Sequence, residues 1–183
     1  MLSEFQKRKL CLRFYMNDTS KDGFVELADF EQQGQKVAEL QGIQPGSTVY
    51  EKILSSYRAL WETYWKPADA DGDNKVTLDE YLNIANATIA RYKDEKNEKT
   101  KLLPSQGIFD SIDLDGDGEI CLQEYTIYLK AVGRSEEDAK IAFSKIDTNG
   151  DGKLCRDEFA IALLEYHVSD NPQAPANWFF GSY

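Results

Sequence analysis

Four twelve-residue stretches constrain this chain more than anything else in it: DTSKDGFVELAD (18–29), DADGDNKVTLDE (69–80), DLDGDGEICLQE (113–124) and DTNGDGKLCRDE (147–158). Each opens on an acid, repeats an oxygen-bearing side chain on alternate residues, carries an apolar residue at its eighth position and closes on another acid. Carboxylates this crowded repel one another and hold together only around a cation. A hard cation such as Ca²⁺ takes six to eight oxygens at about 2.3–2.6 Å, and alternate residues of a tight turn aim their oxygens at one centre.

The third stretch fits D-x-[DN]-x-[DN]-G-x₅-E, the calcium loop of the EF-hand. Its candidate ligands are Asp113, Asp115, Asp117, the backbone carbonyl of Glu119 and Glu124, with Gly118 taking the sharp turn. Cys121, at the ninth position, admits a water more readily than it binds, since sulfur is a poor ligand for a hard cation. The fourth stretch offers Asp147, Asn149, Asp151, Lys153 (through its carbonyl) and Glu158 in the same register. The second offers Asp69, Asp71, Asp73, Lys75 (carbonyl) and Glu80, with Asn74 in place of the turn glycine; Asn is the residue best able to take a positive φ in its stead. The first is the most divergent: Asp18, Ser20, Asp22 and Phe24 (carbonyl) fit, but Asp29, one methylene short, closes the loop. Either the following helix moves inward or Asp29 binds through one oxygen. One-oxygen binding leaves nearer six ligands and suits octahedral Mg²⁺. Glu26, at position nine, is placed to restore part of the charge. Up to four Ca²⁺ are expected, with Mg²⁺ competing most at the first loop.

Helical periodicity flanks the loops. SEFQKRKLCLRFYM starts with Ser3 and Gln6 at capping-box spacing and sets Phe5, Leu12 and Met16 near one face. TVYEKILSSYRALWETYW repeats apolar residues at Val49, Ile53, Tyr57, Leu60, Trp61 and Tyr64, and SEEDAKIAFSKI begins with Ser135 and Asp138. The eighth-position residues Val25, Val76, Ile120 and Leu154 are expected to bridge loop one to two and loop three to four. The predicted fold is all-α: four EF-hand units in two pairs, packed as one compact molecule, with a short β-bridge in each pair. Residues 1–100 form the first pair and 101–171 the second, with the boundary near residue 100 in the polar stretch KDEKNEKTKLLP. Residues 172–183 form a tail whose Trp178, Phe179 and Phe180 need burial and are expected to fold back onto the core.

Charge is concentrated in the loops. Of 32 acids, 14 occupy ligand positions, leaving 18 against 21 Lys and Arg. Four Ca²⁺ bring the formal charge from −11 to −3. There is no basic patch for nucleic acid, no apolar run near 18 residues and no leader-like stretch, so a cytoplasmic monomer is expected. The cysteines, Cys11, Cys121 and Cys155, have no zinc-site spacing. Cys121 and Cys155 hold the same position in paired loops, on one face of the bridge, and reduced thiols are expected.

The four units, the long gap between loops one and two and the ending NWFFGSY resemble the sarcoplasmic calcium-binding proteins, with calexcitin and calerythrin; luciferin-binding proteins and photoproteins are more distant relations. The resemblance implies an intracellular Ca²⁺ buffer and favours Asp29 as a ligand. Two other classes stay open: a sensor with an unknown protein target, and a carrier of a small luciferin-type ligand. The sensor class usually presents a Met-rich groove, and this chain has two methionines. His167, the only histidine, is too little for the photoprotein type of cavity. No nucleophile–base pair or phosphate loop points to an enzyme.

Overall fold

The computed structural model describes residues 1–94 and 105–182; the expected pair boundary near residue 100 lies outside them. Among the described residues the helices are α1 (Glu4–Asn17), α2 (Leu27–Leu40), α3 (Thr48–Leu60), α4 (Leu78–Asp94), α5 (Gln106–Ile112), α6 (Leu122–Ala131), α7 (Glu136–Ile146) and α8 (Arg156–Val168). Strands β1 (Val25–Glu26) and β2 (Lys75–Val76) pair antiparallel, as do β3 (Glu119–Cys121) and β4 (Lys153–Cys155). The eighth-position residues face one another as expected: Val25 opposite Val76, and Ile120 opposite Leu154. All four are buried, so each bridge ties two loops to the core beneath them.

Local signals start the helices. Ser3 accepts from the Gln6 N–H while Gln6 reaches back to Ser3, and Ser135 and Asp138 do the same for α7. Such caps satisfy N–H groups that the helix itself leaves without partners. Gly34, in mid-α2, allows close packing on α3: a Cβ there would lie 3.0 Å from Leu54 Cδ2.

Three expectations need correction. The deepest face of α1 is not Phe5–Leu12–Met16: Phe5 and Leu12 are half-buried, while Gln6, Lys9, Leu10 and Phe14 are buried alongside Met16. Two polar residues can enter the core because the far end of the chain supplies their partners. Gln6 donates to the Val168 carbonyl (2.8 Å), and Lys9 to the Ser169 carbonyl (2.9 Å) and Asn177 Oδ1 (2.8 Å). Val49 stays exposed, because the first turn of α3 projects past the core that covers Ile53 and Tyr57. Finally, α3 does not run on regularly to Trp65: Trp61–Trp65 form a π-turn followed by a 3₁₀ turn, Lys66–Ala68. Both tryptophans enter the core from it, Trp61 beside Phe30 (6.1 Å between centroids) and Trp65 stacked on Tyr81 (4.7 Å, 11°).

The pairs share one continuous core, α3 lying against α5, α2 against α6, and α1 and α4 against α8. Residues 171–182 return across α7 and α8. Phe179 (0% exposed) packs edge-on to Tyr125 and Phe159, and Phe180 (2%) edge-on to Tyr166, while Trp178 is half-buried. The Tyr125 hydroxyl donates to the Phe179 carbonyl, Arg134 to the carbonyls of Phe180 (2.7 Å) and Ser182, and Ser182 to Asp138 (2.8 Å).

Candidate metal centres

In every loop the backbone folds around its own carboxylates. The first-position acid takes two N–H groups. Asp113 accepts from Gly116 (2.8 Å) and Gly118 (3.0 Å), Asp147 from Gly150 (2.8 Å) and Gly152 (3.0 Å), and Asp69 from Gly72 (2.8 Å) and Asn74 (2.9 Å). The third-position side chains Asp71, Asn149 and Asp115 accept from the fifth-position N–H at 2.8–3.2 Å. The fifth-position acids Asp22, Asp73, Asp117 and Asp151 accept from the seventh at 2.8–3.0 Å. This last bond ties the seventh-position N–H of Phe24, Lys75, Glu119 and Lys153 to the loop's own fifth-position acid.

The result is convergence. Carboxylate oxygens of Asp69, Asp71 and Asp73 lie within 4.8 Å of one another, and so do those of Asp113, Asp115 and Asp117. In the first and fourth loops Ser20 and Asn149 take the third position, and the same turn bonds hold Asp18 and Asp22, and Asp147 and Asp151. Hard oxygens clustered this closely are suited to Ca²⁺ rather than to a soft metal.

The closing acid clamps each loop to its outgoing helix. Glu124 accepts from Leu114 (2.8 Å) and Cys121 (2.9 Å), Glu80 from Ala70 (2.9 Å) and Thr77 (2.8 Å), and Glu158 from Asn149 (3.3 Å) and Cys155 (3.2 Å). Asp29 does the same with its shorter arm: one oxygen accepts from Ser20 (3.0 Å) and the other from Glu26 (2.9 Å). Asp29 is fully buried. Threonine hydroxyls join in, Thr19 on Asp29 (2.9 Å), Thr77 on Glu80 (2.7 Å) and Thr148 on Glu158 (3.0 Å). The loop pattern does not ask for them; a threonine at position two or nine is their only signal. The backbone N–H groups of Thr77 and Ala70 lower the pKa of Glu80. Burial acts to raise that of Glu158, but the Cys155 N–H and the Thr148 hydroxyl outweigh it.

Turn geometry separates the loops. Asn74 has φ 65°, doing the work of the glycine it replaces. At the fourth position three loops carry Gly72, Gly116 and Gly150, all at positive φ, whereas the first forces Lys21 to φ 61°. Loop one therefore bears a strained residue that its motif does not reveal. Arg156 reaches from the fourth loop toward the third, 2.7 Å from Asp110 and 4.0 Å from Asp113. The two bridge cysteines are both free and at opposite ends of it: Cys121 faces Lys153 and Cys155 faces Glu119, because the pairing is centred on Ile120 and Leu154.

Residues 105–164 match the EF-hand domain pair family. Over 144 residues, 79% of this chain and 81% of the relative, the sequence is 27% identical to calerythrin of Saccharopolyspora erythraea. Over 136 residues, 70% and 71% of the two, it is 29% identical to sarcoplasmic calcium-binding proteins I, III and IV of Branchiostoma lanceolatum. Among solved structures, the calcium-loaded apo form of the coelenterazine-binding protein from Renilla muelleri superposes over the whole of both chains, with a TM-score of 0.81 at 23% identity. That likeness is one of fold. No helix among the described residues is long and apolar enough to cross a membrane.

Proposed function

From the premise that this chain is a calcium-binding EF-hand protein related to the sarcoplasmic calcium-binding proteins, we propose that it is an intracellular Ca²⁺ and Mg²⁺ buffer. The observation that carries this reading is the tail. A sensor opens an apolar groove to a target helix on binding Ca²⁺. Here Phe179 and Phe180 already fill the apolar space between α6 and α8, where such a helix would sit. Burying two phenylalanines contributes about 1.5–3 kcal/mol each, and the side-chain bonds from Tyr125 and Arg134 add to it. Among the described residues the large apolar side chains left exposed are Met1, Tyr15, Val49 and Ile161, which lie far apart in sequence. The ligands are those named above in each loop, and the expected compartment is the cytoplasm.

The first loop is the one in which Mg²⁺ competes best. Ser20 contributes no charge, and Asp29, one methylene shorter than the closing Glu of the other loops, reaches the ion with one oxygen, which leaves nearer six ligands and favours a small octahedral ion. Asp29→Glu should raise the Ca²⁺ preference of that loop and leave the other three nearly unchanged, as read by competition titration.

The test of buffer against sensor uses a fluorescent apolar probe. Calcium should leave its signal level or lower it in the intact chain, and removing residues 172–183 should produce a calcium-dependent rise. A rise of similar size in the intact chain would establish a sensor instead.

A further inference from the structure

Beneath the loops, between α4, α8 and the turns that follow α3, lies a cavity of about 200 Å³. Most of its wall is apolar, including Trp65, Ile84, Ile89, Ile108 and Leu164. Arg13, Tyr81 and His167 also line it. The Arg13 Nε is buried without a hydrogen-bond partner, and the buried Tyr81 hydroxyl has only the Arg13 guanidinium, a donor, beside it, so its own proton lacks an acceptor.

His167 does not neutralise Arg13. Its Nδ1 lies 2.6 Å from the Leu163 carbonyl and so donates there, which leaves Nε2 to accept from Arg13 Nη1. Burial first, and the Arg13 charge second, hold the imidazole pKa well below its ordinary value, so the ring is neutral. Among the described residues no carboxylate pairs with Arg13; its other neighbours are the rings of Trp65 (5.8 Å) and Phe180 (5.5 Å). A guanidinium with an unpartnered Nε and no counter-charge, and a hydroxyl proton without an acceptor, are costly beside an apolar space unless something supplies the acceptor.

We propose that this cavity binds a compact apolar monocarboxylate, its carboxylate on Arg13 and the Tyr81 hydroxyl and its hydrocarbon part against Trp65, Ile84 and Leu164. Each half of the ligand follows from a different part of the lining. A bare inorganic anion would leave the apolar wall unfilled, and a neutral hydrocarbon would leave Arg13 without a counter-charge. A carboxylate also matches the parallel donors of a guanidinium. The volume lies below the ~300–1,000 Å³ of pockets that take drug-sized ligands, so the occupant is small. Exposed Thr63 and Pro67 and half-buried Thr88 line the way in. The site is separate from the metal loops and does not depend on the buffer reading.

The test is titration of octanoate into the full, calcium-loaded chain, followed by tryptophan emission and calorimetry, with 1-octanol as the neutral probe of the same tail. Octanoate should bind saturably at one site, at least about tenfold tighter than 1-octanol, the size expected for hydrogen bonds to a charged group. Tyr81→Phe, which removes only the hydroxyl, should weaken octanoate several-fold while calcium titrations stay unchanged. Arg13→Gln should erase the preference for octanoate over 1-octanol, and Ala85→Leu, which narrows the cavity, should weaken both probes while calcium titrations stay unchanged. Equal affinity of the two probes for the unaltered chain overturns the proposal, as does the absence of saturable octanoate binding or a preference that survives Arg13→Gln.

Discussion

Lys9→Met isolates the cost of holding a charge against the tail. The Lys9 amine is fully buried between the Ser169 carbonyl and Asn177 Oδ1, with the Phe5 and Tyr166 rings about 5 Å away (4.8 and 5.3 Å). Burial lowers its pKa from 10.5 to about 8, against the opposing pull of Asp170 and Glu165. In the unfolded chain the same amine keeps its proton to about pH 10.4. Between pH 8 and 10 the unfolded state thus binds more protons than the native one, and native stability rises with pH. One whole proton is worth about 1.4 kcal/mol per pH unit. With partial titration at both ends of the window, Lys9 should add about 2 kcal/mol between pH 8 and 10. The methionine variant lacks that term. Urea denaturation of the calcium-loaded proteins at pH 7, 8, 9 and 10 should show a wild-type-minus-variant difference that is flat below about 8 and climbs above it. The series stops at pH 10 because burial raises the pKa of Tyr57, Tyr125, Tyr128 and Tyr166, and native stability falls where unfolded tyrosines ionise. Parallel curves for the two proteins refute the reasoning: Lys9 would then titrate as an ordinary lysine, with its amine not enclosed by the chain's far end.

Other outcomes follow from residues already described. His167 is held neutral, so as pH falls below about 6.5 only the unfolded chain takes up its proton and stability declines by up to about 1.4 kcal/mol per unit; His167→Gln should flatten that decline in denaturation curves between pH 7 and 5. Lys21→Gly should raise the metal-loaded melting temperature by relieving a left-handed residue, worth about 1 kcal/mol, with a smaller gain for Asn74→Gly. Tyr57→Phe removes a buried hydroxyl that has no partner, and should be neutral or stabilising by about 1 kcal/mol in thermal melts. Chelation should lower the melting point sharply, since each site filled at 100 times its dissociation constant contributes about 2.7 kcal/mol.

Local chemistry was the readable part. The registers of the four loops, the caps at Ser3 and Ser135 and the facing of Val25 with Val76 each depend on residues within one loop or one turn, or on a simple symmetry between repeats. What escaped reading depends on distance. Nothing within α1 explains a buried Gln6 and Lys9, because their acceptors lie at Val168, Ser169 and Asn177. The π-turn at Trp61–Trp65 reflects the packing of two indoles against Phe30 and Tyr81, not any local preference of WETYW. Lys21 takes its left-handed conformation because the loop must close there, and no rule for ligand positions speaks of the fourth residue. The cavity beside Arg13 is assembled from five separate segments, so it could not be anticipated from any one of them.

The closure of α1 by residues 168–177 also bears on how the chain is made. Lys9 waits for acceptors 160 and 168 residues further along, and Gln6 for one 162 residues away. At a synthesis rate of ~5–20 residues per second, that delay is on the order of 10–30 s. Throughout it, the first helix displays a lysine and a glutamine on the very face it must bury, and so has reason not to dock prematurely on its neighbours. A chain cut short before residue 168 therefore leaves Gln6 and Lys9 without the acceptors they have in the folded molecule.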